Sequence, residues 1–417
     1  YGWRMVLVGC LFRWLGGGFH FYGFTVFFLP LSADLNINRA RTSLVFSLAR
    51  AEGALEGPLA GYLIDRFGPR PVMMVAVLLT GFGYALLFWI DTYVNFLIVY
   101  MGVISLAFGA GFMHGPMVLA NSWFSRWRAR AMALVSCSIG VGGALLAPIL
   151  ALVVHYFGWR WGVMFAGVGF LLLGTPLAAM VRRSPESMGL LPDGENPTPR
   201  SHDDNSRSTV HSTTNGTDVG VWEAMRGAPF WLIVTATLFR VLGLTTIIVH
   251  FVPILVWKGM EELTASWLLS IFAGLSLPTH LVVASLADHY NKARIMAACM
   301  VVSAAGLVVL IYAQSMPWLI LSLPLLVVVE AVFPVTWAMV GDFYGRQHFA
   351  KVRGNMGFVY QWGGFFGPVF AGAMFDATGD YEFSLWGIVL LYLVAAWIYL
   401  MLSKPWLERM RALQASQ

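Results

Sequence analysis

A loop signature occurs twice in this chain, half a protein apart. The first copy occupies residues 61–70 and the second residues 284–294, and each ends a long apolar run. Their aspartates, Asp65 and Asp288, are 288 − 65 = 223 residues apart. A nearly constant offset indicates a duplicated half, which is common among helical membrane proteins. Three further pairs keep an offset of 220–223 residues: Arg126 and Arg346, Pro148 and Pro368, and Pro30 and Pro253.

The composition places both halves in a lipid bilayer. Charged residues make up 11% of the chain and hydrophobic residues 58%, whereas a soluble domain has about 25% charged residues. We therefore expect an all-α membrane protein, with twelve transmembrane helices forming two pseudo-symmetric six-helix bundles around a central cavity. Apolar runs predict spans at about 5–31, 43–64, 72–90, 95–120, 132–154, 162–181, 229–257, 264–287, 295–313, 317–340, 355–375 and 384–402.

The longest polar segment separates the two predicted bundles. Residues 184–222 are rich in Ser, Thr, Asn, Asp and Pro, which is typical of a flexible linker. The expected domains are therefore 1–183, the linker 184–222, and 223–417. Basic loops follow every second span, and positive loops remain in the cytoplasm, so both termini are expected there. The loops on the opposite side are short, and their charges are mixed or acidic. Arg39, Arg41 and Arg160 are exceptions.

No pattern typical of an enzyme or of an ATP-driven protein is present in the sequence. Nothing matches Gly-x-x-x-x-Gly-Lys-Ser/Thr, and no His, Glu or Cys cluster has metal-ligand spacing. The three cysteines all fall inside apolar runs. We expect no enzymatic activity, no cofactor, no metal and no nucleic acid partner.

Ionisable residues are unevenly distributed among the predicted spans. They are absent from spans 3, 6, 9 and 12, which suits helices that face lipid. Because charge inside a bilayer is costly, charged residues usually face a protein interior or a water-filled cavity. The pattern predicts a cavity lined by spans 1, 4, 7 and 10 and flanked by spans 2, 5, 8 and 11. The ionisable residues are Arg13, His20, Arg50, Glu52, Glu56, His114, Arg240, His250, His280 and Glu330.

These features resemble the major facilitator superfamily over essentially the whole chain. Its loop signature, Gly-x-Leu-Ala-Asp-Arg-x-Gly-Arg, is matched well at 61–70 and partly at 284–294. Further segments resemble the bacterial monocarboxylate and oxalate/formate porters: 1–4 (YGWR), 26–30 (VFFLP), 186–194 (ESMGLLPDG) and 249–253 (VHFVP). The resemblance implies a monomeric secondary transporter in the bacterial inner membrane. It also implies a small organic anion, of the mono- or dicarboxylate class, moved with a proton by alternating access.

Two features depart from that branch. Members that carry monocarboxylates often have an Arg in span 8, with an Asp one turn earlier, where this chain has His280 and Ser276. Animal members often have a Lys in span 1, where this chain has Tyr22. Either the charges have been redistributed, or the substrate differs from simple lactate-like acids.

Arg240 is the best-placed candidate for the anion site. A guanidinium in mid-span needs an anionic partner, and it can bind a carboxylate through two hydrogen bonds. The alternative is a structural ion pair with Glu330 or Glu52. His250 and His280 are further candidates, either as donors to a carboxylate or as satisfied interior histidines. The rest of the predicted substrate-binding set is Arg13, His20, Tyr22, His114, Tyr360 and Gln361.

Three glutamates are candidates for proton coupling: Glu52, Glu56 and Glu330. Glu52 and Glu56 are four residues apart and share a helix face. Two neighbouring carboxylates in a low dielectric repel each other, which favours protonation of one of them. The alternative is structural neutralisation by Arg50 or by an arginine of a neighbouring helix.

The duplicated loops are candidates for gating. We expect Asp65, Arg66, Arg70 and Asp288 to make contacts that stabilise the state closed on the cytoplasmic side. Two rivals to the anion hypothesis stay open. One is a zwitterion or cation carrier in which glutamates contact the substrate; the other is a membrane receptor that binds its ligand without moving it.

Overall fold

The computed structural model describes residues 2–124, 128–185, 188, 225–344 and 349–415. The first half contains six long helices. α1 comprises Gly2–Gly16, a π-helical turn Gly17–Phe21, and Gly23–Asp34. α4 begins with Tyr93–Val99 and ends with Gly115–Trp123, with π-helical turns at Tyr100–Ser105 and Gly109–His114. The others are α2 (Arg39–Phe67), α3 (Pro69–Trp89), α5 (Arg128–Phe157) and α6 (Trp159–Met180).

The second half repeats the arrangement with six helices. They are α7 (Ala228–Trp257), α8 (Glu262–His289), α9 (Lys292–Tyr312), α10 (Met316–Tyr344), α11 (Phe349–Thr378) and α12 (Glu382–Ala415). Within the described ranges, nine of the helices, α3 to α10 and α12, are long and apolar enough to cross a membrane. The predicted twelve-helix fold is therefore confirmed. Most of the predicted linker lies outside the described residues.

The structure adds two landmarks to the duplication. Asn36 and Gly259 both have positive φ, after α1 and after α7, and they are 259 − 36 = 223 residues apart. Gly158 and Gly379 both have positive φ, after α5 and after α11, and they are 379 − 158 = 221 apart. Each of these glycines donates its N–H to a carbonyl of the preceding helix, an arrangement that favours glycine at a helix end. The same helix-ending geometry thus recurs at the sequence offset.

Glycines allow close approach between the helices that the fold brings together. A Cβ at Gly140 of α5 would collide with Ser276 of α8, in the other bundle. A Cβ at Gly367 of α11 would meet Thr246 and Leu242 of α7. Glycines of α5 and α11 therefore serve close helix packing.

Consecutive helices reverse direction, so one end of the molecule carries the loops around residues 34–41, 88–93, 157–160, 257–262, 311–316 and 375–382. We call this the distal end, and the opposite end, which carries both termini, the terminal end. At the distal end Arg160 binds Asp34 at 3.0 Å and Asp91 at 2.8 Å. Lys258 donates to the backbone carbonyl of Ile311 at the end of α9.

Candidate functional site

Arg240 occupies the middle of α7 with its side chain only 2% exposed. Among the described residues, its Nε has no hydrogen-bond partner and no ion pair includes Arg240. The guanidinium carbon lies 5.5 Å from the centre of the Phe333 ring, a favourable cation–π distance. A buried cation that no ion pair neutralises is destabilising. The geometry therefore suits a site that an anion completes.

Glu330 of α10 lies close enough to Arg240 to act on it electrostatically, but the two form no ion pair. Tyr22 of α1 donates its hydroxyl hydrogen to Glu330 Oε1 at 3.2 Å. This hydrogen bond joins the two bundles at the centre of the molecule. The direct Arg240–Glu330 pair, which the sequence left open, is not formed in this state.

His280 and two tyrosines complete the surroundings of Arg240. Arg240 acts electrostatically on His280 of α8 and on Tyr392 and Tyr399 of α12. His280 is half-buried, and its Nδ1 lies 2.7 Å from the Ser276 carbonyl of its own helix. The Tyr392 hydroxyl is buried with no hydrogen-bond partner among the described residues. Sequence reasoning missed both tyrosines because span 12 contains no charge, although a spacing of seven residues places them on one helix face.

An aromatic wall extends from Arg240 towards α11. The ring centres of Phe333 and Trp337 are 5.8 Å apart, and those of Trp337 and Tyr360 are 5.9 Å apart. Gln361 is half-buried beside Tyr360. The structure thus brings five predicted residues to the central region: Arg240, Glu330, Tyr22, His280 and Tyr360.

His20 and Arg13 lie instead inside the amino-terminal bundle. His20 is 7% exposed, its Nδ1 is 2.9 Å from the Tyr84 hydroxyl, and its ring stacks on Phe108. The guanidinium of Arg13 lies 2.6 Å from the sulfur of Met113 on α4. Both contacts are to helices of the same bundle. His114 lies at the second π-helical turn of α4 and is half-buried.

Of the predicted proton-coupling and gating residues, Glu52 lies halfway along α2, whereas Arg66 and Arg70 lie at the terminal end. Glu52 is half-buried beside Ser105 of α4, and its Oε2 has no hydrogen-bond partner among described residues. Arg66 and Arg70 are exposed at the turn from α2 to α3. The side chains of Glu56, Asp65 and Asp288 lie outside the described residues.

His250 lies at the distal end, ten residues beyond Arg240 along α7, or about 15 Å at 1.5 Å per residue. It is fully buried, and both ring nitrogens bind protein groups. Nε2 lies 2.9 Å from the Pro368 carbonyl and 2.9 Å from Ser43 Oγ, and Nδ1 lies 2.9 Å from the Tyr381 hydroxyl. A carbonyl can only accept, so Nε2 carries a hydrogen, and Nδ1 of the neutral ring then accepts from Tyr381.

The contacts of His250 belong to a seal between the bundles. Asp376 of α11 accepts the backbone N–H groups of Arg39 and Ala40, at 3.0 and 2.9 Å, at the start of α2. The Arg39 guanidinium donates to the Tyr381 hydroxyl at 2.7 Å and lies 3.5 Å from the Phe375 ring centre. We call this set the distal seal: Arg39, Ala40, Ser43, His250, Pro368, Phe375, Asp376 and Tyr381. In the sequence Arg39 stands out only as an exception to the positive-inside rule, and that exception was the available signal.

Two six-helix bundles, a polar centre and a sealed distal end define the class of the protein: a membrane transporter. The family model of the Major Facilitator Superfamily matches residues 13–260 and 251–415. The chain belongs to this superfamily, and it is therefore a secondary transporter rather than an enzyme.

Several known proteins are similar to the chain over most of its length. Human monocarboxylate transporter 2 is 24% identical over 396 residues, covering 92% of this chain and 81% of the relative. Monocarboxylate transporter 13 of Bos taurus is 24% identical over 387 residues, covering 92% and 85%. Among solved structures, the D-xylose–proton symporter has a TM-score of 0.74 at 18% identity, covering 96% of this chain and 97% of the symporter. The peptide transporter POT in complex with sulfate has a TM-score of 0.75 at 14% identity, covering 97% and 95%.

Proposed function

We propose that this transporter moves a small organic anion of the mono- or dicarboxylate class together with a proton. The observation that carries the proposal is Arg240, a buried arginine that forms no ion pair among the described residues. A carboxylate bound there would satisfy the guanidinium through charge-assisted hydrogen bonds. The printed names of the two monocarboxylate transporter relatives support the same substrate class.

In the proposed mechanism Arg240 holds the carboxylate, with His280 and Tyr392 beside it. Phe333 and the aromatic wall pack against the apolar part of the substrate. Unlike a histidine, which can be neutral, a permanently charged arginine in the site would attract anions and repel cations. The arginine typical of the branch lies in span 8, where this chain has His280. Arg240 in span 7 would supply the positive charge instead and would thus preserve an anion site.

Glu330 is the proposed proton carrier. It lies near Arg240 and accepts from Tyr22 of the other bundle, so its charge can respond both to substrate and to the arrangement of the bundles. A substrate anion at Arg240 would compete with the Glu330 carboxylate for the same positive charge and would favour protonation of Glu330. This exchange would couple the two bound species. Glu52, which faces α4 within one bundle, is a second candidate for proton uptake.

Alternating access would proceed by rocking of the bundles about the central site. The distal seal holds the bundles together at one end in this state. By the positive-inside rule the distal end faces outward, both termini lie in the cytoplasm, and the seal closes the outer entrance. We place the transporter in a bacterial inner membrane as a monomer, with the expected domains 1–183 and 223–417 as the rocking units.

Uptake into proteoliposomes tests the proposal. The purified chain would be supplied with lactate, pyruvate, oxalate and succinate, with and without an inward proton gradient, and with choline and betaine as competitors. We expect one of the acids to accumulate only when the gradient is imposed. Competition by choline or betaine but not by acids would support a cation or zwitterion carrier instead. Binding of an acid without uptake would support a receptor.

A further inference from the structure

An apolar groove runs along the surface of the amino-terminal bundle, between α2, α3 and α4. Its volume is about 370 Å³, within the range of small-molecule sites. Its lining consists of apolar side chains and one glycine, including Leu63 and Phe67 of α2, Val72 and Leu79 of α3, and Gly102 and Leu106 of α4. We call it the α2–α4 groove. It is separate from the central site around Arg240.

The groove is open at its rim and closed at its floor. Phe67 and Leu79 at the rim are 57% and 45% exposed, whereas Val72 and Ala76 at the floor are 9% and 3% exposed. Along α3 the lining runs from Pro71 to Leu79, a rise of about 12 Å. An extended apolar chain entering from the bilayer fits this shape.

The backbone of α4 opens the groove. Gly102 lies in the π-helical turn Tyr100–Ser105, and a Cβ at Gly102 would meet no heavy atom of a described residue within 4 Å. A second π-helical turn follows at Gly109–His114. Such turns displace the helix locally and often accompany functional sites. The missing side chain at position 102 therefore leaves space that a ligand can fill.

Two arginines stand at the terminal end of the groove. Arg66 and Arg70 flank the turn beside Phe67 and Pro71, which both line the groove. The Arg66 guanidinium carbon lies 5.4 Å from the Phe67 ring centre, and one guanidinium nitrogen donates to the Tyr62 hydroxyl at 2.7 Å. Arg70 makes no hydrogen bond or ion pair with any residue whose side chain the structure describes. The two arginines thus place positive charge at the membrane–water interface, next to the apolar α2–α4 groove.

We propose that the α2–α4 groove binds one anionic phospholipid, with an acyl chain in the groove and the phosphate on Arg66 and Arg70. A neutral apolar ligand would make no use of the two arginines, whereas basic pockets between membrane helices suit anionic headgroups. The lipid would occupy the leaflet at the terminal end. Because Arg66 and Arg70 also belong to the predicted gating loop, a bound lipid would compete with gating contacts for the same side chains.

Native mass spectrometry of the full chain from mixed nanodiscs tests this site. The nanodiscs would contain equal amounts of phosphatidylglycerol and phosphatidylcholine. We expect the wild-type protein to retain one phosphatidylglycerol in preference to phosphatidylcholine. Two arginine contacts of about 1 kcal/mol each correspond to about 30-fold weaker retention in an Arg66→Gln/Arg70→Gln variant. Equal retention of the two lipids by the wild-type protein would overturn the proposal without any variant.

Gly102→Trp fills the groove while leaving the arginines in place. Gly387→Trp of α12 is the matched control, because a Cβ at Gly387 also meets no described heavy atom within 4 Å. We expect Gly102→Trp to lose the bound phosphatidylglycerol and Gly387→Trp to retain it, with Gly102→Leu as a smaller filling variant. Equal phosphatidylglycerol retention in the Gly102 and Gly387 variants would also overturn the proposal. Since no transported substrate is needed, this result is independent of the proposed transport function.

Discussion

Arg39 at the distal seal and Arg240 at the centre show two opposite ways of placing an arginine between helices. Arg39 donates to Tyr381, packs on Phe375 and has its backbone N–H bound by Asp376. Arg240 is more deeply buried, yet its Nε is unpaired and no described carboxylate forms an ion pair with it. A satisfied network holds one conformation, whereas an unsatisfied charge favours a ligand. We therefore propose a structural role for the contacts at the distal end and substrate binding at the centre.

The largest expected effect concerns Glu330, the proposed proton carrier, because proton transfer is assigned to the centre and not to the distal seal. Glu330→Gln cannot release a proton, so we expect accumulation driven by an imposed proton gradient to be lost. Ligand binding should remain measurable, because Arg240 is unchanged. Glu262→Gln is the control, since Glu262 lies at the distal start of α8. Gradient-driven accumulation by Glu330→Gln equal to wild type would contradict the assignment of the proton to Glu330.

The next effect concerns the distal seal. In Asp376→Asn, one acceptor oxygen is replaced by an amide group, so one of the Arg39 and Ala40 N–H groups loses its acceptor. Loss of a charge-assisted hydrogen bond of about 1.5 kcal/mol or more corresponds to roughly tenfold easier opening. Amide hydrogen exchange of the first turn of α2 measures this opening.

Asp380→Asn provides the matched control for the seal. Asp380 lies in the same loop, but its Oδ1 accepts the N–H of Glu382 within its own bundle. We expect this variant to leave exchange at α2 unchanged. Equal rates of amide hydrogen exchange at the first turn of α2 in Asp376→Asn and Asp380→Asn would show that the seal does not depend on Asp376.

The hydrogen bond between Tyr22 and Glu330 joins the two bundles at the centre, as the distal seal joins them at the distal end. Tyr22→Phe removes this bond between bundles while keeping the ring that packs against Gly143. A single hydrogen bond of about 0.5–1.5 kcal/mol predicts a roughly 2- to 10-fold slower uptake. Tyr93→Phe is the control, because the Tyr93 hydroxyl donates to the Arg41 carbonyl within one bundle. Identical uptake rates in the two variants would show that the central link is dispensable.

The smallest expected effect concerns Arg160, a distal arginine outside the seal. Its ion pairs with Asp34 and Asp91 stay within the amino-terminal bundle, and Asp91 is 80% exposed. Exposed ion pairs contribute about 0–1 kcal/mol. Arg160→Ala should therefore lower thermal stability slightly and leave uptake unchanged. A large loss of uptake would mean that distal contacts within one bundle also control transport.

Most of the fold could be predicted from the sequence, because apolar runs and their offset are local signals. The predicted span 229–257, for example, corresponds to α7 at Ala228–Trp257. The central position of Arg240 followed from the rule that charge avoids lipid. The same rule could not separate His250 from Arg240, because both lie on α7. Only the fold shows that Ser43, Pro368 and Tyr381 surround His250 from three other segments.

The remaining differences also have physical causes. His20 was predicted in the substrate set, but Tyr84 and Phe108 surround it within one bundle. Tyr392 carries no charge, so the rule for ionisable residues did not select it. Partners that are distant in sequence decide whether a polar side chain is hydrogen-bonded within the protein or available to a ligand. These partners cannot be inferred from the sequence of a single span.

Ligand titration of Arg240 variants tests the central claim most directly. The titrant would be the acid that proteoliposomes accumulate best, added to folded wild-type, Arg240→Ala, Arg240→Lys and Arg41→Ala proteins. Loss of a charge-assisted contact of about 1.5–3 kcal/mol predicts roughly 10- to 150-fold weaker binding by Arg240→Ala. Arg240→Lys should recover little, because an ammonium lacks the planar fork, and the exposed Arg41→Ala should bind as wild type. Unchanged affinity in Arg240→Ala would show that the anion binds elsewhere and that Arg240 has a structural role.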